Sequence, residues 1–253
     1  MNQKIALITG ATAGIGYETA LLLAQNNYNL ILTGRRKDRL DALETKLKSS
    51  FTCKIITLNF DIRIKTETED ALNSLPDEWK AIDLLLNNAG LAAGLAPINS
   101  ADVDDWERMI DTNVKGLLYT SRIVSSWMIE RQKGHIINIS SIAGRESYPN
   151  GSVYCGTKHA VEAISRAMRI ELLPYGIKVT TLSPGAVETE FSVVRFRGDQ
   201  ERADQVYKGF KPLSAKDVAE TILFIASRPP HVNIDDLLIL PTSQGSARDI
   251  FRK

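Results

Sequence analysis

The sequence predicts an α/β protein, a single domain built on a doubly wound, seven-stranded parallel sheet. Three observations carry that expectation. Short apolar runs recur along the chain, separated by longer amphipathic stretches. Each run is apolar throughout rather than alternating, as strands buried on both faces are. The first run feeds a glycine-rich turn that opens a helix, the join that begins a βαβ unit. Right-handed crossovers between parallel strands then place helices on both faces.

The elements follow in order. Ile5-Ala6-Leu7-Ile8 reads as the first strand, with a glycine turn and a helix through about Asn26 behind it. Leu30-Ile31-Leu32-Thr33 is the second, trailed by a charged helix to about Ser49. Lys54 to Leu58 is the third, with a helix from about Lys65 to Leu75. Ile82 to Leu86 is the fourth; two helices then cover Ala101–Gln132, with a break near Asn113. His135 to Ile139 is the fifth, and the helix carrying Tyr154 runs to about Leu173. Lys178 to Leu182 is the sixth and Leu237 to Leu240 the seventh. No linker, repeat or low-complexity tract divides residues 1–253. Residues 186–213 depart from the pattern: polar, charged and weakly periodic, they suit a mobile loop or lid over a site.

Composition narrows the classes. A chain of 253 residues, 43% hydrophobic, can bury one large core. Lys plus Arg number 31 and Asp plus Glu 30, a balance that argues against a nucleic-acid binder. Cys53 and Cys155 form no disulfide framework, zinc pattern or CxxC, and both stay reduced in a cytosol. The opening MNQKIALITG lacks the apolar stretch of a signal peptide, and no run reaches the roughly 18 residues of a membrane span. A soluble cytoplasmic protein is expected. His135, His159 and His231 share no ligand spacing, so no metal is expected.

The turn after the first strand reads Thr9-Gly10-Ala11-Thr12-Ala13-Gly14-Ile15-Gly16. Glycines there permit a tight turn, close approach to a pyrophosphate and close helix packing, while the helix N-terminus offers free amides. The spacing G-x-x-x-G-x-G differs from the commoner G-x-G-x-x-G, and a purely structural turn is the alternative. The second strand ends at Thr33-Gly34-Arg35-Arg36. No acid stands there for a ribose 2′-hydroxyl, whereas arginines accommodate a 2′-phosphate, so NADP(H) is the expected cofactor of a Rossmann fold. A solvated helix start is the alternative for the arginine pair.

Tyr154 precedes Lys158 by four residues, and Ser141 lies thirteen upstream at the end of the fifth apolar run. On a helix, positions i and i+4 share a face, so Lys158 can stand beside the Tyr154 hydroxyl. A free tyrosine has a pKa of about 10, and a neighbouring cation lowers it toward the range useful for acid–base work. By itself Y-x-x-x-K occurs on many helices as a surface pair.

Together the glycine run, Asn87-Asn88-Ala89-Gly90, Asn113, Ser141, Tyr154, Lys158 and Pro184-Gly185 resemble the short-chain dehydrogenase/reductase family in order and spacing, over essentially the whole chain. Leu75 to Trp79, Asp105 to Asn113, Glu190 to Asp199, His231 to Ile234 and Pro241 to Gln244 resemble its NADP-dependent 3-hydroxy acid dehydrogenases, which also act on serine and L-allo-threonine. The resemblance implies that Tyr154 is the acid–base and that Lys158 lowers its pKa while bonding the nicotinamide ribose. It implies that Ser141 hydrogen-bonds the reacting oxygen, with Ser140 structural, and that Asn113 helps hold a water linking Lys158 to solvent. Asp61 and Ile62 would flank the adenine, Asn88, Ala89 and Gly90 would line the cofactor ribose, and Val187 and Thr189, after Pro184-Gly185, would hold the carboxamide. Carbonyl reduction needs a cofactor hydride and a proton for the developing alkoxide, the roles given to cofactor, Tyr154 and Ser141.

A hydroxy acid also needs a cation for its carboxylate, and arginine's bidentate geometry suits it. Arg195, Arg145 and Arg197 are the candidates in that order, and Phe191 either closes the apolar side of the pocket or anchors the lid. The expected substrates are small 3-hydroxy acids or β-hydroxy amino acids. The alternatives are another carbonyl, such as a 3-oxoacyl thioester or simple ketone, and a non-catalytic NADP-binding sensor or scaffold. The resemblance also implies a homotetramer pairing the helices before the fifth strand and around Tyr154. The stripe Val161, Ile164, Met168 and Leu172 would serve that interface or the core.

Overall fold

The computed structural model describes residues 3–253. Its first strand, β1 (Ile5–Ile8), is buried along its whole length, so successive side chains must feed two different cores. They do. Ala6 and Ile8 join the cluster that holds Leu23, Leu40, Leu43, Ile222 and Ile225. Ile5 and Leu7 join the opposite cluster, with Leu72, Val124, Met128 and Leu172. The first cluster is the face covered by α1 (Gly14–Gln25), α2 (Lys37–Ser50) and α9 (Ala215–Ala226). The second is covered by α3 (Lys65–Asn73), α5 (Leu117–Arg131) and α6 (Ser152–Leu172).

The sheet is parallel and seven-stranded, in the order β3-β2-β1-β4-β5-β6-β9. Its other strands are β2 (Asn29–Gly34), β3 (Ile55–Asn59), β4 (Leu84–Asn87), β5 (Gly134–Ile139), β6 (Ile177–Pro184) and β9 (Asp236–Ile239). Ala6 pairs with Leu30 of β2 on one side and Leu84 of β4 on the other. The order reverses between β1 and β4, which opens a crevice at their carboxyl ends, the place where open α/β sheets bind ligands.

One expectation is corrected here. The break near Asn113 is a π-helical turn, Asp111–Gly116, that joins α4 (Val103–Ile110) to α5 without interrupting the helix. One extra residue in the turn shifts the helix face, and no breaker residue is needed to do it. Residues 186–213 carry short elements: β7 (Val187–Glu188) pairs with β8 (Leu213–Ser214), and α7 (Phe191–Arg195) and α8 (Gln200–Tyr207) lie between them. Helices of five and eight residues are too short to show a clear period. Tertiary bonds hold them instead: the Tyr207 hydroxyl donates to the Val187 carbonyl at 2.8 Å and pairs with the Ser192 hydroxyl at 2.7 Å. The stripe on α6 is mostly core. Val161 and Leu172 are buried, and Met168 packs against the second cluster. The large apolar side chains that α5 and α6 leave exposed are Leu118 and Ile170, with Leu173 just beyond α6. Among the described residues no helix is long and apolar enough to cross a membrane, and no group of three or more His, Cys, Asp and Glu is placed to hold a metal.

Candidate active site

A cleft of about 830 Å³ opens at the switch point, lined by the turns that follow β1 to β6 and by α7. The glycine turn forms its floor. Gly10 sits at φ +69°, and a Cβ there would lie 3.0 Å from the Ala89 Cα, so only glycine fits. A Cβ on Gly16 would lie 2.5 Å from the Gly10 carbonyl oxygen, which brings α1 close against the turn. No side chain caps α1 at Ala13, and its first turn carries no acid. Its leading amides are free for a phosphate, and the dipole end favours one. Asn88 locks the two turns together: its amide donates to the Thr9 and Gly10 carbonyls at 2.9 and 3.1 Å. The Thr9 hydroxyl accepts from the Asn88 and Ala89 amides, both at 3.0 Å. The glycine spacing, bare helix end and open cradle fit a dinucleotide pyrophosphate.

Gly10, Thr12, Ala13, Gly14, Ile15, Arg35, Arg36, Asp61, Ile62, Asn88, Ala89, Gly90, Pro184, Gly185, Val187 and Thr189 all line this cleft, while Gly16 lies beneath it. The arginines mark one end. Arg35 stands 3.7 Å from the Asp61 carboxylate. Arg36 donates from Nε and Nη2 to the Thr12 hydroxyl, at 3.3 and 3.0 Å. Burial pushes the Asp61 carboxyl up, but hydrogen bonds from Arg63 outweigh it and hold the group below the usual carboxylate range.

Ser141, Tyr154 and Lys158 meet at the other end. Ser141 ends the β5 turn, where its hydroxyl accepts from the Ala143 amide at 3.1 Å. Tyr154 is buried on α6, its ring 5.8 Å from that of Phe191 in an edge-to-face arrangement. Lys158, one turn on, donates to the Ile139 carbonyl at 2.9 Å and stands 6.0 Å from the Tyr154 ring centroid. Asn113 reaches the site from the π-turn. Its carbonyl accepts from the Leu91 amide, and its amide donates to the Leu91 carbonyl and the Thr157 hydroxyl, at 2.8, 2.8 and 3.0 Å.

Burial pushes the Tyr154 hydroxyl above its ordinary value, and the neighbouring Tyr148 adds to the rise. The Ser141 hydroxyl and the Arg195 guanidinium pull the other way. Lys158 is itself stripped of water, which brings it down to about 8 against the opposing pull of Glu162. Its ammonium is turned to a carbonyl rather than to the phenol, so spacing of i and i+4 placed it nearby without aiming it.

The three candidate arginines separate. Arg195 lines the cleft, with its guanidinium carbon 5.6 Å from the ring centroids of both Tyr154 and Tyr148. Its Nη2 donates to the Tyr148 hydroxyl at 2.9 Å and its Nε to the Gly94 carbonyl at 3.3 Å. Arg145 turns away from the pocket and pairs with Asp236 on β9. Arg197 pairs with Asp102 and Asp105 in a side pocket of about 300 Å³. For both, carboxylates of this chain already answer the charge. Tyr148, Glu190, Tyr207 and the carboxyl-terminal Ile250 and Arg252 also line the cleft. They lie far apart in sequence and share no spacing that would group them. Glu190 and Gln244 stand within stretches that carried the family resemblance.

The short chain dehydrogenase pattern matches residues 4–200. The chain is 44% identical to the NADP-dependent 3-hydroxy acid dehydrogenase YdfG of Salmonella typhi, over 96% of this chain and 97% of that protein. It is 44% identical to the serine 3-dehydrogenase of Rhizobium radiobacter, over 95% of each. Among solved structures, the closed form of serine dehydrogenase complexed with NADP+ is similar at 43% identity and a TM-score of 0.91, covering 98% of this chain and all of that one.

Proposed function

The chain belongs to the short-chain dehydrogenase family, and from that membership and the geometry of the cleft we propose an NADP-dependent oxidoreductase of small 3-hydroxy acids and β-hydroxy amino acids. The relatives named above, 3-hydroxy acid and serine dehydrogenases, support the substrate class. One observation of this chain carries it: Arg195 stands 5.6 Å over the Tyr154 ring, with two of its donors spent on neutral oxygens and no acidic partner among the described residues. A substrate whose oxygen meets Tyr154 would present a nearby carboxylate to that guanidinium, which suits it as a charge-assisted partner.

The bound cofactor supplies or accepts the hydride. The chain's own residues handle the rest. Tyr154, kept protonated at neutral pH by its burial, gives its proton to the oxygen that becomes a hydroxyl, and takes one back in the reverse direction. Ser141 stabilises charge on that oxygen. Lys158 would hold the cofactor's ribose, and Asn113 braces Leu91 and Thr157. Phe191 shuts out water from the tyrosine's edge. Arg35 and Arg36 would hold a 2′-phosphate. The assembly we propose is a homotetramer, supported by the apolar Leu118, Ile170 and Leu173 exposed on and beside α5 and α6.

The test is a substrate panel run with NADP and with NAD: serine, L-allo-threonine, 3-hydroxyisobutyrate and 3-hydroxypropionate against an acetoacetyl thioester. Turnover of the acids with NADP, and a KM for them raised about ten- to a hundredfold in Arg195→Ala, is expected from loss of a charge-assisted pair. Preference for the thioester would move the assignment to another carbonyl. Cofactor binding with no turnover anywhere would leave a binding protein.

A further inference from the structure

At the arginine end of the cleft the positive charge already has an anion. Glu190, the residue that starts α7, sends its carboxylate across the mouth to α2. Arg36 Nη1 donates to one oxygen at 2.9 Å and Arg39 Nη1 to the other at 2.5 Å. Arg36 begins α2 and Arg39 lies in its first turn, where cations are unfavourable unless an anion accompanies them. A carboxylate bridging two guanidiniums has the charge and hydrogen-bonding pattern of a bound phosphate monoester. Bonds from Arg36 and then Arg39 hold Glu190 below the usual carboxylate range, so it is ionised at neutral pH.

We propose that Glu190 is an internal stand-in for the cofactor's 2′-phosphate, tying the lid to Arg36 and Arg39 until that phosphate displaces it. The inference rests on the NADP reading above. A phosphate monoester carries a charge of about −1.5 to −2 and three acceptor oxygens, against one charge and two oxygens for Glu190, so it wins the arginines. What it frees is the start of α7, whose Phe191 and Arg195 both contact Tyr154. Arrival of the phosphate is thereby signalled to the substrate side of the cleft. NAD(H), which has no such group, leaves Glu190 where it is. The phosphate gives up some affinity to displace the carboxylate, and the exposed pairs keep that loss small.

Calorimetric titration of the full chain with adenosine 2′,5′-bisphosphate and with 5′-AMP tests this without turnover. Wild type is expected to prefer the bisphosphate. Glu190→Gln is expected to bind the bisphosphate about three- to tenfold tighter, the scale of two exposed ion pairs, with 5′-AMP unchanged. Limited proteolysis provides a second readout: the bisphosphate should speed cleavage within residues 186–213 of wild type, and Glu190→Gln should be cleaved faster without it. Unchanged or weaker bisphosphate binding in Glu190→Gln, or cleavage indifferent to both, overturns the proposal. Equal binding of both nucleotides by wild type overturns the NADP reading instead.

Discussion

Tyr154 is a single hydroxyl whose chemistry is set by its neighbours. Burial raises its pKa, the Ser141 hydroxyl and the Arg195 guanidinium oppose the rise, and Lys158 turns its ammonium to the Ile139 carbonyl. The residue types and the four-residue step to Lys158 were legible in the sequence; the burial of the hydroxyl and its tertiary neighbours were not. Tyr148 and Arg195 are brought to the ring from 6 residues before it and 41 after it. Tyr154→Phe keeps the ring and its contact with Phe191 but removes the proton. Turnover is expected to fall by about 10²–10⁴-fold, the usual worth of a positioned acid–base, while NADP(H) affinity measured by fluorescence titration stays put. Activity near the wild-type level would show that the proton comes from elsewhere.

At the scale of elements, the glycine turn was readable because its constraint is local. Strand, turn and helix start within a dozen residues, and Gly10 and Gly16 each answer to a backbone contact. Gly16 is the sharpest case. A methyl there would lie 2.5 Å from the Gly10 oxygen and 2.6 Å from the Asn88 amide nitrogen, forcing α1 away from both. Gly16→Ala is expected to cost about 1–3 kcal/mol, as overpacking does, and to weaken dinucleotide binding. A melting temperature and binding isotherm matching wild type would mean that the turn yields without loss. The π-turn and the lid helices were not readable in this way. A π-turn uses ordinary helix formers and differs only in register. The short α7 and α8 draw their order from Tyr207, Ser192 and the pairing of Arg195 with Gly94 rather than from their own propensities.

For the whole molecule, one contribution to acid stability comes from His135, buried where β5 meets β6. Thr180 gives its own hydroxyl proton to the Ile234 carbonyl at 2.6 Å, so it accepts from His135 Nε2 at 2.9 Å. That leaves Nδ1 without a partner among the described residues. Burial, then nearby Lys178, brings the ring down from 6.5 to about 3. The unfolded chain therefore binds the extra proton first. The share of stability that His135 contributes is full above pH 6.5 and is lost progressively as pH falls toward 3. At two pH units below the unfolded value the loss is about 2–3 kcal/mol, read as a drop in the urea midpoint that His135→Asn should flatten. Identical pH slopes for the two proteins would clear His135 of the effect. The sequence by itself determined the sheet, its parallel sense, the phosphate-binding turn and the Ser141, Tyr154 and Lys158 set, because apolar runs and local spacings encode them directly. Tertiary structure alone decided which arginine faces Tyr154, that Asp236 takes Arg145, and that Glu190 reaches Arg36 and Arg39. Those are pairings between distant segments, and one charge does not name its partner until the fold sets the distance between them.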